Sequence, residues 1–132
     1  MFLSTFQKEE QDAFLALAKQ LVAADGVLDE NEIQLMNQFL QEMGVMDDQV
    51  EIMTMGAALE ALGKSSMTVK KQIFIELVGL SKCDDSLDTN EEEILKHMAS
   101  ELGIAEETAA KLRACVEELF GVYNKMEELI SE

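Results

Sequence analysis

The side chains of this chain with a chemical role in prospect are carboxylates. Two stretches carry them in the same order: Ala24-Asp25-Gly26-Val27-Leu28-Asp29-Glu30-Asn31-Glu32 and Cys83-Asp84-Asp85-Ser86-Leu87-Asp88-Thr89-Asn90-Glu91. Each puts one carboxylate on a turn, a second at the N-cap of the helix that follows and a third at its N3 position. Helix geometry brings the cap and N3 side chains to the same end of the helix. Three carboxylates so close repel one another unless a cation sits among them, and hard oxygen donors of this kind suit Ca²⁺, Mg²⁺ or Mn²⁺. The expected cation ligands are therefore Asp25, Asp29 and Glu32 in the first turn and Asp84, Asp88 and Glu91 in the second.

A second account needs no metal. Asp29 with Glu32, and Asp88 with Glu91, fit a capping box, and the helix dipole favours negative charge at an N-terminus. Asp25 and Asp84 can satisfy turn backbone as Asx-turns. An EF-hand does not fit. Asp25 to Glu32 match the second half of its loop, but the first and third ligand positions would be Leu21 and Ala23. In the second copy they would be Leu80 and Lys82, and Asp85 stands where the loop requires Gly.

A helix ending in Ala24-Asp25-Gly26, then a hydrophobic residue, then Glu32 six residues after the Gly, resembles the tellurite-resistance TerB family. The second turn, Asp84 to Glu91, is similar to that family's second acidic turn, with Asp85 as the departure. The resemblance runs through nearly the whole chain. It implies an all-helical fold in two pseudo-symmetric halves and a role in metal sensing or binding within stress-response systems, some of them membrane-associated. Carried over by position, it assigns Asp25 and Glu32 to the first family motif and Asp84 and Glu91 to the second.

The elements that position these turns are helices. Pro is absent and Gly numbers 7, so breakers are few. Apolar residues recur with helical spacing in six segments. The first is expected from Thr5 to Ala24, with Phe6, Phe14, Leu17, Ala18 and Leu21 on one face; the second runs from Glu30 to Met43 and is ended by Gly44 in the C′ role. The others are expected from Gln49 to Leu62, Thr68 to Lys82, Thr89 to Leu102, and Glu106 to Ile130. The fold class expected is all-α, a bundle of six or seven helices.

The chain also repeats itself. Shifted by 59 residues, Ala24–Val45 falls on Cys83–Ile104 with seven identities, among them Asp25/Asp84, Asp29/Asp88, Glu32/Glu91 and Gly44/Gly103. Apolar pairs such as Phe39/Met98 and Met43/Leu102 keep the helical stripe in register. Duplication explains this better than chance. One domain over residues 1–132, with repeats over about 12–53 and 71–112, is the organisation expected.

Composition bounds the partners. The 132 residues are 48% hydrophobic and 28% charged, as in a folded globular domain. Asp and Glu number 27 against 10 Lys and Arg, a formal charge of −17. Such a surface repels phosphate backbones and anionic lipid, which disfavours nucleic acid and bare membrane. It attracts cations and basic protein surfaces instead. The opening residues turn polar too soon for a signal peptide, no apolar run reaches membrane length, and two cysteines make no disulfide framework. A reducing cytoplasm is the setting expected.

The remaining reactive residues point to no catalysis. His97 is the sole histidine and has no triad or zinc partner in view, so a solvated position is expected. Cys83 sits beside Asp84 and Asp85, which raise a thiol pKa. Cys115 is expected in the core, and Met36, Met43, Met53, Met98 and Met126 are expected as core packing, with a Met-lined binding groove as the alternative. Lys70, Lys71 and Lys82 form a small basic island with a solvated face as its expected role and contact with an acidic patch on another copy as the alternative. Leu112, Val116, Leu119, Tyr123, Met126 and Ile130 form a heptad seam along the last helix. That seam either packs on its own bundle or makes a helix-in-groove or homodimer contact. The chain is expected to be no enzyme.

Overall fold

The computed structural model describes residues 1–23, 30–46, 52–81 and 89–132. A short 3-10 turn, Leu3–Thr5, precedes six α-helices: α1 Lys8–Ala23, α2 Glu30–Met43, α3 Met55–Leu62, α4 Met67–Ser81, α5 Thr89–Glu101 and α6 Glu106–Ser131. Among the described residues there is no strand, so the all-α bundle is the observed architecture. No helix among them is long and apolar enough to cross a membrane.

Two helices form the centre. The run Gln11 to Ala18 of α1 is buried on every side, and α4 buries Ile73, Phe74, Leu77, Val78 and Leu80 around most of its circumference. A helix that is apolar nearly all round has to be covered all round. α1 packs chiefly on α3 and then on α4, while α4 packs on α6, α1 and α5. The two polar residues inside α1 are provided for. Gln11 donates from Nε2 to the Leu3 carbonyl at 3.0 Å, which ties the 3-10 turn to α1, and Asp12 pairs with Lys8 one turn before it.

The 59-residue shift appears in the helix boundaries. Lys8 and Met67 open α1 and α4, and Glu30 and Thr89 open α2 and α5, each pair 59 residues apart. The helix ends match in detail. The amide of Gly44 donates to the Gln41 carbonyl at 3.1 Å and that of Val45 to Leu40 at 3.1 Å; Gly103 donates to Ser100 at 3.0 Å and Ile104 to Ala99 at 2.9 Å. These are two Schellman motifs in one register, each with a left-handed Gly, φ +68° at Gly44 and +78° at Gly103.

Other boundaries differ from the sequence reading. α1 starts at Lys8 and not at Thr5, because Gln7 donates its backbone N–H to Glu10 Oε1 at 2.8 Å and so provides the helix start. α3 starts at Met55; of the expected start near Gln49, Ile52, Met53 and Thr54 are described and are not helical. Thr54 caps this helix by accepting the Ala57 N–H at 3.1 Å. Such a cap is a stronger start signal than the apolar spacing upstream of it. Residues 47–51 lie outside the described residues.

Candidate functional site

An open apolar groove of about 650 Å³ lies between α2, α4 and α6. α2 contributes Leu35, Gln38, Phe39 and Glu42, and α4 contributes Ile75, Glu76, Gly79 and Leu80. The third wall is α6, with Val116, Leu119, Phe120, Tyr123 and Asn124. Phe39, Leu80 and Val116 are buried and form the floor, whereas Leu35, Ile75 and Phe120 are half-buried on the walls. Gly79 keeps the α4 wall open; a Cβ built there meets nothing within 4 Å.

An ion cluster closes one edge. The Met1 α-ammonium lies 2.8 Å from Glu42 Oε1 on α2 and 2.9 Å from Glu76 Oε1 on α4. Glu76 also accepts the Phe2 N–H at 2.9 Å, and it is 8% exposed. The carboxylate reaches this buried place on α4 with a cation and an amide donor already at hand. Burial pulls the α-ammonium pKa down, but the hydrogen bonds and charges of Glu42 and Glu76 outweigh it and hold the group above its ordinary 8.0.

Beyond the groove α6 continues as a free-standing helix. Every residue from Gly121 to its end is exposed. Val122, Tyr123, Met126, Leu129 and Ile130 are 53%, 50%, 44%, 65% and 82% exposed, a ridge of large apolar side chains. Tyr123 belongs both to the groove and to the ridge, so the two surfaces are continuous.

This divides the heptad seam of the last helix. Val116 packs in the bundle and Leu112 and Leu119 are half-buried there, but Tyr123, Met126 and Ile130 are exposed. Two expectations are corrected with it. Met126 is not core, because the bundle does not extend as far as that turn of α6. Cys115 is not core either; it is exposed, one position before buried Val116 and so rotated off the packed face. His97 is exposed as expected, Met43 and Met98 are buried, and Met36 and Met53 are half-buried.

Of the expected cation ligands, Asp25, Asp29, Asp84 and Asp88 lie outside the described residues, as do Cys83 and Lys82. Glu32 falls within α2, but its side chain lies outside the described residues. Glu91 is described: it stands in the first turn of α5 and is 4% exposed. Among the described residues no group of three or more His, Cys, Asp or Glu is placed to hold a metal ion.

The groove was not anticipated in the sequence reading. Of its α2 wall, Phe39 falls on that helix's apolar stripe, but a stripe alone does not tell a covered face from an open one. Comparison with protein-family models, with curated proteins and with solved structures found no match.

Proposed function

We propose that this chain is a non-enzymatic, TerB-like helical interaction domain whose groove between α2, α4 and α6 seats an amphipathic helix. The observation that carries the reading is the groove itself: apolar floor, open top, and an apolar ridge on α6 leading out of it. Helix-in-groove recognition uses surfaces of this kind, with anchors at helical spacing. The TerB resemblance supports a place in a stress-response system, with tellurite resistance as the named instance, and the two thiols support a reducing, cytoplasmic setting.

The test is an amide-resolved NMR titration with two synthetic amphipathic peptides, one of leucine and lysine and one of leucine and glutamate. Docking of either should move the amides of Leu35, Phe39, Ile75 and Phe120. The substitution Gly79→Leu should abolish the shifts without unfolding the chain, because the space at Gly79 is open. If neither peptide perturbs the groove, the reading fails.

A second reading keeps the acidic turns as a divalent-cation site formed by Asp25, Asp29, Glu32, Asp84, Asp88 and Glu91. Its support is the repeat, which sets three carboxylates in the same order in each turn. Its test is the same titration with CaCl₂, MgCl₂ and MnCl₂ against KCl of equal ionic strength. Shifts confined to the two turns, at divalent concentrations where KCl has no effect, are the expected result.

A further inference from the structure

We propose that the occupant of the groove is a second copy of this chain, whose α6 ridge enters it while its own groove receives the ridge of the first. The inference rests on the groove reading above and adds the partner.

The ridge and the groove lie to either side of Tyr123 on one helix. Two α6 helices packed antiparallel about a two-fold axis near Val122 and Tyr123 therefore bring each ridge over the other groove. A two-fold interface requires this kind of self-complementarity, in which the same patch serves on both partners. The area argument points the same way. Five large side chains at these exposures make a patch of a few hundred Å², the size that marks interaction sites. A stable interface needs roughly 800 Å² from each partner, more than the ridge offers alone. An antiparallel second copy engages ridge and groove together, twice.

Charge does not call for a basic helix inside the groove. Its two carboxylates, Glu42 and Glu76, are already paired with the chain's own α-ammonium. What the groove lacks is apolar contact, and the ridge supplies that. The formal charge of −17 on each copy opposes association through long-range repulsion. Salt screens such repulsion with a Debye length of about 10 Å at 0.1 M, so the dimer should tighten as salt is raised. A complex held by a basic partner would weaken under the same change.

The experiment is sedimentation analysis of the full chain across micromolar concentrations in low and high NaCl. Reversible dimerisation, at least several-fold tighter in high salt, is expected. Met126→Glu with Ile130→Glu removes the ridge at exposed positions, and Gly79→Leu fills the groove; each should give a monomer with an unchanged circular dichroism spectrum. Orientation is read by cross-linking. Cys115, Val122 and Leu129 recur every seven residues and so form one column on α6, and Cys115 is exposed. In a Cys83→Ser background, Leu129→Cys should link under mild oxidation to the second copy's Cys115 if the pairing is antiparallel. Links only between like positions would overturn the arrangement. A strict monomer that still binds either peptide in its groove would overturn the second copy as occupant and leave the groove reading standing; a monomer that binds neither peptide would end both.

Discussion

The rings of Phe14 on α1 and Phe39 on α2 meet edge to face, with centroids 5.1 Å apart and planes at 76°. Phe14 is fully buried and Phe39 is 6% exposed. This pair fastens α2 to the central helix and sets the floor of the groove at the same time. Phe39→Ala should cost about 3–5 kcal/mol as a core truncation. A double-mutant cycle with Phe14→Leu and Phe39→Leu should leave a coupling of about 0.5–1.5 kcal/mol for the edge-to-face contact. Urea unfolding of the four proteins measures it, and hydrogen exchange should show α2 losing protection first in the Phe39 variants.

The amino-terminal ion cluster makes stability depend on pH in the alkaline range. The α-ammonium has a folded-state pKa raised above its ordinary 8.0 by Glu42 and Glu76, against the opposing pull of burial. A raised base is stabilised by its charged form. Its contribution is therefore complete below about pH 8 and is lost as pH rises through the folded value. Thermal melts from about pH 7 to pH 10 should show a decline that is shallower in Glu76→Gln, which keeps an oxygen for the Phe2 amide but no charge. Equal slopes in the two proteins would show that the pair carries no linkage.

Gly44 and Gly103 should respond alike to substitution. Both have positive φ, and a Cβ at Gly44 meets nothing within 4 Å, while at Gly103 the nearest atom is Met67 Cε at 3.9 Å. Space is therefore not the constraint; backbone conformation is. Replacement by Ala should cost about 1–2 kcal/mol at each site, and by Asn less, since Asn visits this region more readily. Chemical denaturation of Gly44→Ala, Gly103→Ala and Gly44→Asn tests the expectation, and a difference above about 1 kcal/mol between the two Ala variants would show unequal caps.

The cation reading and the capping reading separate at the acidic turns. Asn caps a helix about as well as Asp, whereas loss to Ala costs about 1 kcal/mol. Asp29→Asn and Asp88→Asn should therefore spare stability without metal, and under the cation reading they should weaken divalent binding. Asp25→Asn and Glu32→Gln should do so more strongly. A site filled to 100 times its Kd adds about 2.7 kcal/mol, so melting in CaCl₂ against matched KCl provides the readout. Identical melting in all salts would leave the turns as caps.

Helical spacing, scarce breakers and Gly at C′ are local properties, so the six helices are legible in the sequence, while the starts of α1 and α3 are set by the Glu10 and Thr54 caps. The two glycines of the repeat, Gly44 and Gly103, end α2 and α5 with the same pair of backbone hydrogen bonds, the Schellman pattern that a left-handed residue at C′ allows. The acidic turns were visible as motifs, yet spacing alone does not separate a cap from a ligand. Tertiary structure decided which apolar faces are covered. The same period places Val116 and Ile130 on one seam of α6, but Val116 is 5% exposed and Ile130 is 82% exposed, because the other helices of the bundle cover the first part of α6 and leave the rest bare. Periodicity states which residues share a face; only the packing of the remaining helices determines whether that face meets a neighbour. The groove is the result of that packing, formed where α2, α4 and α6 converge without closing, and no stretch of sequence contains it.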